Sequence, residues 1–120
     1  MKPFYLKVCK NKNNARVWIE GKRLANMGFN RGDKILVSVF PEIARMTIGV
    51  IGKHYEQTDH ADARTVSGRN RNGKELPIID ICCKELDFLK AFERLKISSP
   101  WEGLLVVDAL VAEQSEVKTA

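Results

Sequence analysis

Residues 17–39 read VWIEGKRLANMGFNRGDKILVSV, and this stretch decides the fold class because it joins a strand, one short helix and a second strand. Its first residues alternate between aliphatic and polar or amphipathic side chains, as in a half-buried strand. Leu24 and Met27 lie three residues apart on one face of the predicted helix, and Gly28 ends it by taking a left-handed conformation. Phe29 then packs just beyond this stop. A unit this small cannot close a core alone, so it needs a partner.

The sequence on either side completes a hairpin–helix–hairpin unit. Residues 4–8 and 16–19 alternate around an asparagine-rich segment, NKNN at 11–14, which predicts a β-hairpin because asparagine tolerates turn conformations. After the helix, a strand is predicted at 34–40, followed by a proline-containing turn and a returning strand at 46–50.

The second half of the chain repeats this order of elements. Asn72-Gly73 is the strongest short-range hairpin signal in the sequence. The partner strand is predicted at 76–81, where Pro77 is expected to occupy an edge or an irregularity. The other predicted elements are a helix at 83–92, a short strand at 94–97, a turn at 98–100 and a strand at 104–110.

The two halves superimpose with an offset of 62 residues, which places Leu24 on Leu86 and Met27 on Leu89. The first hairpins overlay at an offset near 60. Because the element order and the apolar spacing both repeat, the pattern favours an internal duplication. The predicted organisation is a first hairpin–helix–hairpin repeat at 1–51, a connector at 52–63, a second repeat at 64–110 and a polar tail at 111–120, with the repeats interlocked as one domain.

The composition is that of a globular domain. Hydrophobic residues make up 44% of the 120 residues and charged residues 29%, which excludes a disordered chain. No apolar run approaches the length of a membrane span, and the first residues lack the apolar core of a secretory signal, so a cytoplasmic protein is predicted. Three cysteines, Cys9, Cys82 and Cys83, are predicted to be reduced, with Cys9 and one of the pair buried. Trp18 and Trp101 are predicted to pack in the core or at its rim.

The charge is divided unevenly along the chain. Residues 1–74 contain 15 Lys and Arg against 6 Asp and Glu, a balance of +9, whereas residues 75–120 contain 5 against 9, a balance of −4. This asymmetry predicts one surface that faces a polyanion. The alternative is that the basic residues are only solvated loop tips.

Part of the sequence resembles a known family. Gly28-Phe29, Gly32-Asp33 and Val37 form a GFxxGDxxxV element like that of the swapped-hairpin AbrB superfamily, especially its SymE-like members. Residues 65–81, TVSGRNRNGKELPIIDI, are similar to a non-catalytic N-terminal region of some phage-type cytosine DNA methyltransferases. The two matches together span residues 16–97. The resemblance implies a mainly β fold with two short helices, a tandem ββαββ swapped-hairpin (AbrB-like) pseudo-dimer barrel, built here by one chain.

The chain also departs from both families. The second repeat has Lys90-Ala91 and Arg94-Leu95 where the first has Gly28-Phe29 and Gly32-Asp33, so the turn chemistry is lost there. The catalytic Pro-Cys motif of the methyltransferases is absent, as is a glycine-rich cofactor loop. The sequence therefore predicts no enzyme and no cofactor.

Nucleic-acid contact is the leading chemical hypothesis. Cations at two hairpin tips and around the first helix are positioned to contact phosphates, and the superfamily resemblance implies comparable placement of the two tips. The competing interpretation is that Asn and Gly are present at these tips only because turns need them. The predicted contact residues are Lys10, Lys12, Lys22, Arg23, Arg31, Arg69, Arg71 and Lys74.

Other sites are less favoured by the sequence. His54, Asp59, His60 and Asp62 cluster in the connector, but their spacing is more typical of a solvated loop than of a metal site. No Ser or Cys has a recognisable His and acid arrangement, so no catalytic residue is predicted. An RNA-targeting toxin, suggested by analogy with the SymE-like proteins, would need a base such as His54 or His60.

The sequence thus leads to two hypotheses from different classes. The first is a small bacterial or phage nucleic-acid-binding protein, with DNA favoured over RNA, which acts non-covalently as a transcriptional or nucleoid-type regulator. The second is a protein-binding accessory factor, such as a phage or mobile-element inhibitor of a host defence or DNA-modifying enzyme. Neither hypothesis involves a membrane, and homodimerisation stays open.

Overall fold

The computed structural model is mainly β, with two short helical segments and antiparallel sheets, as predicted from the sequence. The structure describes residues 2–11, 13–53 and 63–111, except for the side chains of Lys10 and Asn11. The predicted connector and tail therefore lie largely outside the described residues. The strands are β1 (Phe4–Lys7), β2 (Cys9–Asn11), β3 (Asn14–Glu20), β4 (Lys34–Phe40), β5 (Arg45–Val50), β6 (Arg64–Thr65), β7 (Ser67–Arg71), β8 (Lys74–Cys82), β9 (Arg94–Trp101) and β10 (Leu104–Leu110).

Two sheets enclose one apolar core. A six-stranded sheet has the order β1-β9-β10-β5-β4-β6, and a four-stranded sheet has the order β2-β3-β8-β7. Alternate residues of β3 are fully buried, and they join a single cluster with inward residues of both sheets. Helix α1 (Lys22–Asn26) and a 3-10 helix (Lys84–Ala91) pack against the four-stranded sheet, and a single 3-10 turn (Pro41–Ile43) joins β4 to β5.

The first strand of each half changes sheet midway. The chain bends between β1 and β2 at Val8, whose N–H donates to the Glu93 carbonyl at 3.0 Å. It bends again between β6 and β7 at Val66, whose N–H donates to the Asp33 carbonyl at 2.9 Å. Each bend is therefore held by the other half of the chain. Correspondingly, β1 pairs with β9 and β6 pairs with β4.

The strand pairing relates the two halves by an approximate twofold axis. Tyr5 lies opposite Lys96, and Thr65 lies opposite Lys34, so the same contact occurs twice with offsets of 60 and 62 residues. Trp18 lies directly opposite Asp80, its own counterpart at the offset of 62. The axis therefore passes through this pair in the four-stranded sheet.

Helix α1 ends just before Gly28, as predicted. Gly28 has a φ of +95°, its N–H donates to the Ala25 carbonyl at 3.0 Å, and the Phe29 N–H donates to the Leu24 carbonyl at 3.3 Å. This is the Schellman arrangement, in which a left-handed residue lets the chain satisfy the last helical carbonyls. Leu24 and Phe29 are both fully buried, so the turn also delivers a large aromatic side chain to the core.

The second helical segment differs from the prediction in type. Residues 84–91 form a 3-10 helix rather than an α-helix. Leu86 and Leu89 are fully buried and Phe92 is half-buried. A spacing of three residues matches the 3.0 residues per turn of a 3-10 helix, so its buried side chains stay aligned.

Three local predictions need correction. Strand β9 continues through the predicted turn at 98–100 because a bulge there absorbs an extra residue, and the chain reverses at Glu102-Gly103 instead. Pro77 lies in an interior strand, although just beyond the last residue pair between β3 and β8. Cys9 is exposed rather than buried, because its position on β2 opposite Arg16 directs it away from the core.

The two tryptophans differ in their exposure to solvent. Trp18 is half-buried at the surface of the four-stranded sheet, whereas Trp101 is 58% exposed at the end of β9, outside the core. Among the described residues, the helices are all too short or too polar to cross a bilayer.

Candidate nucleic-acid interface

The β7–β8 hairpin presents two cations on a rigid turn. Asn72 and Gly73 both have positive φ, 55° and 79°, as expected for the tight turn that matches strand twist. The Gly73 N–H donates to the Asn70 side-chain oxygen at 3.2 Å, which fixes the turn further. Arg71 and Lys74 lie directly opposite each other at its base, and both are exposed.

Two arginines lie along the same hairpin and are partly neutralised. Arg69 approaches Glu20, with 3.9 Å between Nη1 and Oε2. Arg31 donates from Nη1 to Glu75 Oε2 at 2.8 Å. The Arg31 side chain lies against the strand at Gly68, where a Cβ atom would stand 2.7 Å from Arg31 Cδ. The missing side chain at Gly68 therefore lets Arg31 pack on the hairpin.

Helix α1 brings one further cation to this end of the molecule. The Gly21 N–H donates to the Pro77 carbonyl at 3.1 Å, so the exposed Lys22 begins the helix beside β8. Arg23 instead turns to Phe4, with its guanidinium carbon 4.0 Å from the ring centroid. We use the name basic end for the five cations that the structure gathers here: Lys22, Arg31, Arg69, Arg71 and Lys74.

The other predicted tip does not join the basic end. Strands β3 and β8 are antiparallel, with Arg16 opposite Cys82 at one end and Glu20 opposite Ile78 at the other. Strand β2, which carries Lys10, therefore lies at the opposite end of the four-stranded sheet from the β7–β8 turn, roughly 30 Å away at about 3.3 Å per residue. The two hairpins are therefore placed comparably about the approximate twofold axis, but at opposite ends of the sheet, so they do not form one continuous surface. Lys12 and the side chain of Lys10 lie outside the described residues.

On the four-stranded sheet, the charged side chains between the basic end and the β2–β3 hairpin are paired with one another. Arg16 donates from Nε and Nη2 to the two carboxylate oxygens of Asp80, both at 2.8 Å. This hydrogen bonding lowers the pKa of Asp80 below its ordinary value. Trp18 donates from Nε1 to Glu20 Oε1 at 2.9 Å, and the Arg16 guanidinium lies 4.6 Å from the Trp18 ring centroid. These paired charges leave little net attraction for phosphate here.

The weaker sequence candidates gain no support. His54, Asp59, His60 and Asp62 are outside the described residues. Across the described ranges, no group of three His, Cys, Asp or Glu side chains is arranged to hold a metal ion. Burial raises the pKa of the Cys83 thiol, with a further contribution from its hydrogen bond with Glu85, so the thiol is less nucleophilic than a free cysteine.

Sequence reasoning missed a second charged surface, the outward face of the six-stranded sheet. We call it the sheet face and define it by the outward residues of its strands that carry charge or an exposed aromatic ring. Its members are Tyr5, Lys7, Lys34, Phe40, Arg45, Arg94, Lys96, Trp101 and Asp108. Most of these residues occupy the polar positions of predicted strands. The sequence did not show which strands lie side by side, and therefore did not show that these residues share one face.

No family model, curated protein or solved structure matches this chain. The features of the described residues that bear on function are therefore the two cationic surfaces, the basic end and the sheet face.

Proposed function

We propose that this protein is a non-covalent nucleic-acid-binding regulator whose basic end contacts duplex DNA. The observation that carries the proposal is the pair Arg71 and Lys74, exposed and opposite each other at a rigid turn. Neither side chain contacts an acidic group within the described part of the chain. The turn fixes the backbone spacing of the two cations, and neither has to leave an acidic partner in order to contact phosphate.

The shape of the basic end suits the DNA major groove. A two-stranded β-ribbon fits this groove, which is about 12 Å wide. The β7–β8 hairpin is such a ribbon, and the five cations of the basic end are opposed locally by two acids, Glu20 and Glu75. The remaining positive charge attracts the backbone on both sides of the groove.

The strand pairing supports a finer proposal about the fold. In the swapped-hairpin arrangement, two hairpin–helix–hairpin units exchange strands and share one body. Here β1 of the first half pairs with β9 of the second, and β6 of the second pairs with β4 of the first. We therefore propose that the chain is a single-chain version of the AbrB-like barrel, with its duplex-binding hairpin supplied by the second repeat.

A charge-reversal experiment tests the binding surface. Arg71→Glu/Lys74→Glu should weaken binding to a 20-base-pair duplex at least tenfold at 50 mM salt. The slope of log affinity against log salt should also fall by about 2, since two phosphate contacts are lost. Fluorescence anisotropy over a salt series measures both quantities.

The matched control is Lys7→Glu/Lys96→Glu, which makes the same change in net charge on the sheet face. It should retain duplex affinity within about threefold. If wild-type protein does not bind duplex at 50 mM salt, the proposed function is wrong. If it binds but both double variants lose affinity equally, the basic end is not the specific contact.

One observation favours the protein-binding alternative. Phe40 and Ile43, at the β4–β5 turn, are 39% and 60% exposed, which makes a small apolar patch. Exposed apolar side chains suit a protein partner better than a phosphate backbone. A stable complex with a DNA-modifying enzyme in gel filtration, lost in Ile43→Asp, together with no binding to duplex or RNA, would favour this function instead.

A further inference from the structure

A continuous row of side chains crosses the sheet face. Each residue lies directly opposite the next on the neighbouring strand, from Tyr5 through Lys96, Asp108 and Arg45 to Phe40. Five strands at about 4.8 Å spacing give the row a length of roughly 19 Å. Aromatic rings therefore stand at its two ends, with charged groups between them.

The sheet face is strongly cationic. At the outward strand positions that the structure describes, the charged residues are five cations and one acid, Asp108. Arg45 donates to Asp108 at 2.6 Å, so this acid is already neutralised. Lys7, Arg94 and Lys96 have no acidic partner among the described residues. Lys7 and Arg94 face each other one row from Lys96, and the three cations form a compact group at the β1–β9 side.

Exposed aromatic rings accompany these cations. Tyr5 and Phe40 are 44% and 39% exposed, and the Arg94 guanidinium carbon lies 4.8 Å from the Tyr5 ring centroid. A groove of 660 Å³ runs beside Tyr5 and is lined by Lys7, Lys90, Phe92, Glu93 and Arg94 among others. It extends the cationic surface past the edge of the sheet.

Mostly short side chains lie beside this row on the sheet face. The row next to the aromatic-ended row consists of Ser98, Val106, Thr47 and Ser38, which again lie opposite one another across four strands. These side chains are short, so an extended chain can lie flat on them. Planar groups held there are within reach of Tyr5 and Phe40.

We propose that the sheet face binds single-stranded nucleic acid. In this arrangement Tyr5 and Phe40 stack on unpaired bases, and Lys7, Arg94 and Lys96 contact the phosphates. An open sheet with exposed rings and cations suits this ligand, because every base has a face that can stack and the backbone is uniformly charged. A second copy of this chain is a poor occupant, since two faces of the same positive charge repel each other.

The inference is independent of the duplex contact at the basic end, because it uses different residues on the other sheet. The probes are fluorescein-labelled 20-mers of deoxythymidine and of uridine at 50 mM salt. Tyr5→Ala should weaken binding about 5- to 100-fold, the range expected for loss of one base stack. Tyr5→Phe retains the ring and should bind within twofold of wild type.

A second variant keeps the test decisive if Tyr5→Ala fails to fold. Lys7→Glu/Lys96→Glu should lose single-strand affinity at least tenfold while its duplex affinity is retained. Arg71→Glu/Lys74→Glu should show the reverse pattern. Circular dichroism melting establishes that each variant is folded.

Three results would overturn the inference. The first is wild-type protein that binds neither single-stranded probe, even if it binds duplex. The second is a loss of single-strand affinity in Arg71→Glu/Lys74→Glu that equals the loss in Lys7→Glu/Lys96→Glu. The third is concentration-dependent dimerisation that Lys7→Glu/Lys96→Glu alters, which would assign the sheet face to a second copy of this chain.

Discussion

The two halves of this chain share a strand order but end their helical segments by different chemistry. The first half uses a left-handed glycine, Gly28, and then buries Phe29. The second half has Lys90 and Ala91 at the equivalent positions, both exposed, and uses a 3-10 helix. The same topology therefore tolerates two local solutions, provided that each places its leucines in the core.

The difference has a cause in the packing between halves. The Gly103 N–H, in the β9–β10 turn, donates to the Met27 carbonyl at 2.9 Å. A Cβ atom at Gly28 would stand 2.8 Å from the Gly103 nitrogen and 2.4 Å from Glu102 Cγ. The second half's turn thus occupies the space that a side chain at position 28 would need. Gly28 serves both the helix end and this close approach.

The largest expected effect compares the residues at equivalent positions after the two helical segments, of which only Phe29 packs in the core. Phe29→Ala should lower the free energy of unfolding by about 3–5 kcal/mol, because it leaves a cavity at a fully buried site. A substitution at the equivalent position of the second half, Ala91→Ser, should stay within about 0.5 kcal/mol, since Ala91 is exposed. Urea denaturation measures both. Equal losses would mean that the halves are more alike than this comparison holds.

A somewhat smaller effect is expected at the glycine itself. Gly28→Ala should cost about 2–3 kcal/mol, since the left-handed conformation alone costs an alanine about 1–2 kcal/mol and the new methyl group meets the β9–β10 turn. Lys90→Ala should cost less, at most about 1 kcal/mol, because it removes one partly exposed ion pair, with 3.5 Å between Lys90 Nζ and Asp87 Oδ1. The same urea titration applies. A neutral Gly28→Ala would show that the turn can move away.

The hairpins also differ in their use of glycine, but here it is the second half that has a glycine in its turn. Gly73→Ala should destabilise the protein by about 1 kcal/mol, because φ at this position is +79°. Asn72→Gly, at a φ of 55°, should change stability by only a few tenths of a kcal/mol. Thermal melting of the two variants measures the difference. If Asn72→Gly were the more damaging, the turn geometry assigned here would be wrong.

The smallest effect concerns the pair on the twofold axis, where Asp80 titrates and Trp18 does not. Hydrogen bonds from Arg16 lower the pKa of Asp80, so ionised Asp80 stabilises the fold at neutral pH. This contribution is lost as the pH falls below about 4 and through the lowered pKa. Asp80→Asn should therefore be slightly less stable than wild type at pH 7, and the difference should shrink as Asp80 becomes protonated in acid. A difference that grows in acid would contradict the assignment; solvent screening keeps the effect small.

Local signals in the sequence were enough to predict much of the fold. Strands 34–40 and 104–110 agree with the structure residue for residue, and the turn at Asn72-Gly73 is confirmed, because alternation and turn chemistry involve neighbouring residues. The extension of β9 through Pro100 was not predictable in this way. It depends on a bulge that forms only against β10.

The candidate sites also divide into features that local sequence predicts and features that depend on strand pairing. Arg71 and Lys74 were predicted as exposed cations and are found exposed. The separation of the two hairpin tips follows from the antiparallel pairing of β3 with β8, which no local pattern contains. The sheet face was missed for a similar reason, since Tyr5 and Phe40 are distant in sequence and join one row only through three intervening strands.

The exchange of strands between halves has a consequence for biosynthesis. Strand β1 leaves the ribosome about 90 residues before its partner β9, a delay on the order of 5–20 s at ordinary translation rates. Until then, the bonding edge of β1 and the apolar side chain of Phe4 have no permanent neighbours, and such segments attract chaperones or other nascent chains. The six-stranded sheet therefore cannot form until β9 has been synthesised, and its yield should depend on how well the cell shields the first strand.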